Sequence, residues 1–261
     1  MLDLFHISKT YDPGTINEKV LYSDFNFHVD QGDYITIVGA NGSGKTTLFN
    51  LISGRLLPDE GTVLLDGRDV TFESEHIRAH EIGRLFQDPS MGTAPGLTVY
   101  ENLVLAAKTG GWLSMPNSRD KEYLKQKLMD LDIGLEERMH QRVGTLSGGQ
   151  RQALALVMAT IHPPKLLLLD EHTAALDPQS AEKVTELTDQ IIKENNITCL
   201  MITHDLDQAL HTGNRTIMLN EGEIVYDVSG KEREKLEVND LIRIFKEKTR
   251  KYLDDEVLLN V

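Results

Sequence analysis

Tyr34-Ile35-Thr36-Ile37-Val38 runs directly into Gly39-Ala40-Asn41-Gly42-Ser43-Gly44-Lys45-Thr46-Thr47. A run of β-branched residues, then a loop with three glycines, then Leu48, Leu51 and Ile52 on one side of Thr46–Ile52, predict strand, loop and helix in that order. The spacing is that of a phosphate-binding loop in its expected context. Glycines let successive backbone N–H groups turn inward, and the helix that follows points its positive dipole end at the same space. In this reading Gly39, Asn41, Gly42, Ser43 and Gly44 form a cradle for a polyphosphate. Lys45 supplies a mobile charge for the β- and γ-phosphates, the Thr46 hydroxyl ligates Mg²⁺, and Thr47 braces the α-phosphate side. A glycine turn joining a strand to a helix needs one or two glycines and has no use for Lys-Thr-Thr.

The chain has 261 residues, enough for one large α/β domain or a core with a smaller subdomain. Lys+Arg 27 against Asp+Glu 41 leaves a net charge of −14, and no segment gathers basic and aromatic residues, so nucleic acid is not an expected partner. Cys199 is the only cysteine and lies in the apolar run Ile197–Ile202, which excludes a disulfide framework and a thiolate metal site. No apolar run approaches the ~20 residues of a bilayer span, and the composition is of soluble, cytoplasmic type.

Upstream of the loop, residues 2–7 and 20–29 read as antiparallel strands around the turn-rich Tyr11-Asp12-Pro13-Gly14-Thr15. Tyr11 is either a platform for a nucleotide base or ordinary packing beside a Pro-Gly turn; the residues alone leave both open. Downstream, Gly61–Leu65 reads as a strand closing in Asp66-Gly67. His76 and His80 stand four apart in an expected helix, but with no third ligand pattern they read as a solvated face rather than a metal pair. Ile82–Phe86 forms a strand ending in Gln87, and Asp88–Gly96 is a loop by composition. From Thr98 the pattern turns helical to about residue 160. Thr98 and Glu101 make a capping box, Ser118 precedes a helix with Leu124, Leu128 and Leu131 on one face, and Gly110-Gly111-Trp112 forms a loop.

Three later stretches carry chemistry. Leu146-Ser147-Gly148-Gly149-Gln150 opens an Ala- and Leu-rich helix; Ser147 and Gln150 read as a capping box, but the two glycines cost a helix about 1 kcal/mol each relative to Ala. Bare amides beside a serine hydroxyl make a second phosphate-sized anion site. Leu166–Leu169 is a continuous apolar run, as in a parallel strand buried on both faces, and it ends in Asp170-Glu171. Carboxylates at the C-terminal end of such a strand lie where ligands bind in open α/β sheets. Asp170 is read as holding Mg²⁺, and Glu171 as orienting and deprotonating an attacking water. Asp177 and Pro178 read as the N-cap and first residue of a helix. The strand Thr198–Thr203 ends in His204, either a γ-phosphate contact or a structural histidine, and Asn220–Glu223 is a hairpin turn.

With these residues in place the chain resembles the ATPase subunit of ATP-binding cassette (ABC) transporters over nearly its whole length. The phosphate loop, Gln87, the Leu146–Gln150 signature, the Leu166–Asp170 strand with Glu171, the Ala174–Asp177 turn and His204 follow in the family's order. The resemblance implies an α/β fold: a P-loop NTPase (RecA-like) core with an antiparallel β subdomain and an all-helical signature-motif insert. Residues 1–230 would form one ATPase domain, with 1–87 and 161–230 as core and 88–160 as helical subdomain, and 231–261 a short helical tail. It makes Tyr11 the base-stacking aromatic, Gln87 a switch residue reaching nucleotide and Mg²⁺, His204 a γ-phosphate contact and Asp177 a dimer-loop residue. Ser147, Gly148, Gly149 and Gln150 would face the ATP of the partner subunit.

The resemblance also implies the cofactors ATP and Mg²⁺, a homodimer in the ATP-bound state, and a permease whose cytoplasmic helix is gripped by the loop after Gln87. The branch resembled is bacterial, works at the cytoplasmic face of the membrane, and pairs one permease with an extracytoplasmic substrate-binding lipoprotein. It is associated with amino-acid uptake, aromatic amino acids notably. One departure stands out: the family usually has proline after the catalytic glutamate, and this chain has His172, which either alters the loop's rigidity or adds a titrating group near the phosphate. The rival readings are an ABC exporter subunit and a soluble ABC protein acting on ribosomes or DNA. The second usually carries two cassettes or a long coiled-coil insertion, and the negative charge opposes it.

Overall fold

The computed structural model describes residues 1–107, 118–129 and 134–259. Its first elements are β1 (Leu2–Tyr11), β2 (Lys19–Val29), β3 (Tyr34–Val38), α1 (Lys45–Ser53), β4 (Glu60–Leu65), β5 (Arg68–Asp69) and α2 (Glu75–Arg78). Then come β6 (Ile82–Leu85), α3 (Val99–Ala107), α4 (Ser118–Met129), α5 (Gly148–Thr160), β7 (Leu166–Asp170) and α6 (Pro178–Asn195). The chain closes with β8 (Thr198–Ile202), α7 (Leu206–His211), β9 (Arg215–Asn220), β10 (Glu223–Ser229), α8 (Gly230–Arg233) and α9 (Val238–Leu259). It divides into two compact units, Met1–His80 with Thr198–Val261, and Glu81–Ile197.

The first unit holds an antiparallel sheet in the order β2-β1-β4-β5. It also holds a set of strands in which β3 runs parallel to both β8 and β9, with β10 antiparallel to β9. All five residues of β3 and all five of β8 are buried, as strands covered on both faces require. Thr36 is a polar residue inside β3, and its hydroxyl is satisfied by Ala209 O at 2.7 Å and Thr216 Oγ1 at 2.9 Å. The β9–β10 turn at Glu221 and Gly222 has positive φ at both residues, 48° and 80°, the geometry that matches the twist of a tight hairpin. Cys199 is buried.

In the second unit β6 and β7 pair in parallel, Ile82 opposite Leu166 and Leu85 opposite Leu169, and Leu166–Leu169 are completely buried. The helices pack on a core that includes Val99, Leu103, Leu124, Leu128, Leu154 and Val157. Both capping boxes form: Thr98 N donates to the Glu101 carboxylate while Glu101 N donates to Thr98 Oγ1, and Ser147 and Gln150 exchange the same pair. The expected His76/His80 helix face is corrected. Helix α2 ends at Arg78, leaving His80 beyond it, and His76 Nδ1 lies 2.9 Å from Ser74 Oγ, so the pair does not share a helical face. The Gly110–Trp112 loop and Leu131 lie outside the described residues.

Candidate nucleotide site

The phosphate loop leaves β3 at Val38 and enters α1 through Gly44, the N-cap, whose φ of 110° only glycine adopts without strain. No side chain caps this helix and no acidic residue stands in its first turn, so its leading amides are left to an anion. Ser43 Oγ is buried without a hydrogen-bond partner, an arrangement that costs stability until a ligand oxygen accepts from it. Lys45 is buried, and its ammonium donates to Gly39 O at 2.9 Å and Ala40 O at 3.0 Å, folded back over its own loop. Asn41, Gly42 and Thr46 are exposed around it. This donor-lined cradle fits a polyphosphate.

Neighbours missed in the sequence hold the cradle. The Tyr22 hydroxyl donates to Gly44 O at 2.9 Å, and Gly222 N, from the hairpin turn, donates to Ser43 O at 3.0 Å. A Cβ on Gly39 would meet Leu219 O at 2.1 Å, so glycine is required there by the strand beside it. At the far end of α1, the buried Arg78 guanidinium donates to Leu51 O and Ile52 O, both at 2.8 Å, and to Thr71 O at 2.8 Å. Such contacts carry no local sequence signal; only the helix-terminal carbonyls awaiting donors hint that a distant cation is needed.

Tyr11 lies at the edge of the cradle, its hydroxyl 3.0 Å from Thr47 Oγ1 and its ring 38% exposed. An accessible ring anchored beside the first turn of α1 fits a base-stacking platform. Thr203 N donates to Ile37 O at 3.2 Å, which sets His204, exposed, just past the end of β3 from which the loop departs. Thus Tyr11, the loop from Gly39 to Thr47 and His204 belong to one unit.

Gln87, Ser147–Gln150, Asp170, Glu171 and Asp177 belong to the other. Asp170 ends β7, mostly buried, with Arg84 Nη2 3.6 Å from its carboxylate. Glu171 follows at φ 47°, left-handed for a residue with a side chain, and such strain concentrates at functional sites. Gln87 is exposed two residues beyond β6. The Asp177 carboxylate accepts from Ser180 N at 3.1 Å as the N-cap of α6, and these Ser180 hydrogen bonds hold it below the usual carboxylate range. A cavity of about 760 Å³ opens at the start of α5, lined by Ser147, Gly149, Gln150, Ser180 and Lys183 among others. Gly149 has a second reason to lack a side chain: a Cβ there would lie 2.6 Å from Ser180 Cβ.

His172 is corrected as a titrating group beside the phosphate. It is 2% exposed, with Nε2 3.3 Å from Thr188 Oγ1 of α6, and burial pushes its pKa down to about 4. It is a neutral packing residue at neutral pH.

Fold and cradle together define a P-loop nucleotide-binding protein with an α/β core. The family model for ABC transporters matches residues 22–174. The chain is 42% identical over 247 residues to the tyrosine transport ATP-binding protein of Clostridioides difficile (strain R20291), covering 94% of this chain and 98% of that one. It is 36% identical over 226 residues to the putative hemin import ATP-binding protein HrtA of Staphylococcus haemolyticus (strain JCSC1435), covering 85% and 98%. Among solved structures it resembles the dimeric post-hydrolysis state of the ATP-binding cassette MJ0796 bound to ADP and Pi, with TM-score 0.74 and 29% identity over 88% of this chain and 98% of that one. The chain belongs to the ABC transporter family, as an ATP-binding subunit that hydrolyses ATP.

Proposed function

We propose that this chain drives an importer of amino acids, aromatic ones foremost, as a homodimer at the cytoplasmic face of a membrane, bound to a separate permease that an extracytoplasmic binding protein supplies. The observation that carries the substrate class is the near full-length likeness, at 42% identity, to a tyrosine transport relative, against 36% over a shorter stretch for the hemin import relative. Among the described residues no helix is long and apolar enough to cross a membrane, which supports a separate permease. Exposed Met91 and Leu97, in the loop after Gln87, suit the grip on a permease helix.

The residue roles follow from the chemistry. The loop from Gly39 to Gly44 cradles the phosphates, Lys45 turns from its carbonyls to the β- and γ-phosphates, and Tyr11 stacks on the base. Ser147, Gly148, Gly149 and Gln150 present their donors to the ATP held by the partner subunit, and Asp177 lies in the dimer loop. Glu171 orients the attacking water and takes its proton, and His204 donates to the γ-phosphate as the bond to the leaving oxygen breaks. Thr46, Gln87 and Asp170 would hold Mg²⁺, which neutralises phosphate charge when bound. Among the described residues no three of His, Cys, Asp and Glu cluster as a metal site, in keeping with a cation carried largely by phosphate oxygens and water.

The test is to express tagged Glu171→Gln in the native host, extract membranes with ATP and identify what co-purifies. A permease with a lipoprotein that binds tyrosine or phenylalanine supports the proposal; a lipoprotein that binds hemin overturns the substrate class. A permease with no binding protein indicates export, and a ribosome overturns transport.

A further inference from the structure

We propose that Arg233 is a positioning residue for His204, through which the C-terminal segment sets the geometry of the hydrolytic site. The inference rests on the reading of His204 as a γ-phosphate contact.

His204 sits between two fixed points. Before it, Thr203 is bonded to β3; after it, the Asp205 carboxylate caps α7 by accepting from Asp207 N at 2.9 Å and Gln208 N at 3.1 Å. The Thr203 hydroxyl also donates to Gln208 Oε1 at 2.7 Å. The placement of the histidine backbone is therefore tied to that of α7. With six residues this helix is far too short to be stable by itself, so what holds it is tertiary.

At its C-terminal end that hold is Arg233. The side chain is 8% exposed, and its guanidinium donates to Ala209 O at 3.0 Å, to Thr212 O, to Gly213 O at 2.9 Å and to Thr216 Oγ1 at 2.8 Å. Three of these acceptors are carbonyls of α7 and the turn after it, where a cation also complements the helix dipole, and the fourth is a hydroxyl of β9. The contacted groups are neutral oxygens spread over a planar fork, which a guanidinium satisfies and an ammonium does not. Arg233 ends α8, and α9 adds Leu241, fully buried in one cluster with Ala209 and Leu210. A segment that packs α7 from behind and bonds its terminal carbonyls fixes the loop at its front. Catalytic geometry is sensitive at that scale: a misplacement of about 1 Å costs on the order of 100-fold in rate.

The test uses the full chain with Arg233→Met, Arg233→Lys, His204→Ala and the double variant, measuring kcat at saturating ATP and nucleotide affinity with a fluorescent ATP analogue. Arg233→Met is expected to lower kcat roughly tenfold with affinity within about twofold, Arg233→Lys to recover part of it, and Arg233→Met to cost nothing further in the His204→Ala background. Wild-type kcat in Arg233→Met overturns the proposal, as does an equal loss in both backgrounds. If His204→Ala alone keeps the wild-type rate, the reading of His204 fails whatever Arg233 does, and the proposal falls with it. Should Arg233→Met not fold, Leu241→Ala replaces it, with amide exchange over 204–212 as a second readout. Faster exchange there together with lowered kcat supports the proposal, and unchanged exchange overturns it.

Discussion

At Tyr22 one hydroxyl separates a phosphate cradle that is built from one that is merely allowed. The ring is fully buried beside Phe25, and burial raises its pKa, so the phenol stays protonated and donates to Gly44 O. Tyr22→Phe keeps the packing and removes the donor. The expected result is a loss of about 1 kcal/mol in stability and a raised KM for ATP, measured by denaturant titration and steady-state ATPase assays. An unchanged KM would mean that the loop holds its direction without this bond. His172 gives a pH prediction. Its folded pKa of about 4 lies below the ordinary 6.5, so between these values the unfolded chain binds a proton that the folded chain does not. Stability from keeping it neutral is full above about pH 6.5 and falls as pH drops toward 4, by on the order of 3 kcal/mol in total. His172→Leu should remove that part of the acid loss, seen as a stability difference that shifts in favour of the variant as pH falls below 6.5. The ATPase pH profile above pH 5 should not move.

The start of α5 shows why an element can be legible while its reason is not. Ser147, Gln150, Asp177 and Pro178 advertise helix starts through short-range bonding, and each forms as expected. The four leucines of β7 advertise a strand covered on both faces for the same local reason. Gly149 reads from sequence as an exposed amide for an anion, yet Ser180, 31 positions on, also forbids it a side chain. The two roles separate experimentally. Gly149→Ala should destabilise by about 1–3 kcal/mol through overpacking, and adding Ser180→Gly should restore most of that. If the anion role is real, ATPase activity stays low in the restored double variant; recovery of both would leave Gly149 a packing residue alone. Arg78, Tyr22 and Arg233 are illegible because each reaches backbone carbonyls 20–27 positions away, along no period that a helix or strand repeats. The helical spacing of His76 and His80 predicts a longer α2 than the chain forms, because Arg78 turns inward to cap α1 and the helix ends there.

For the whole molecule the dominant long-range term is charge. Each chain carries −14 at pH 7, and ATP adds further negative charge, so two chains closing on nucleotide repel at long range even where contacting groups are complementary. The local positive features, Lys45 and the bare amides of α1, lie within the cradle and attract phosphate at short range, where salt screens them least. Salt therefore acts on the two steps with different strength. The screening length shrinks from about 30 Å at 0.01 M to about 8 Å at 0.15 M, which removes most of the repulsion between exposed surfaces. With Glu171 in its proposed catalytic role, Glu171→Gln holds ATP unhydrolysed and isolates the association step. Its ATP-dependent dimer is expected to tighten several-fold in Kd as salt rises over that range, measured by analytical ultracentrifugation, while nucleotide affinity of the monomer changes less. Weakening with salt would mean that exposed ion pairs across the dimer outweigh the net repulsion, and reversing the charge of single surface residues such as Lys183 would then locate them.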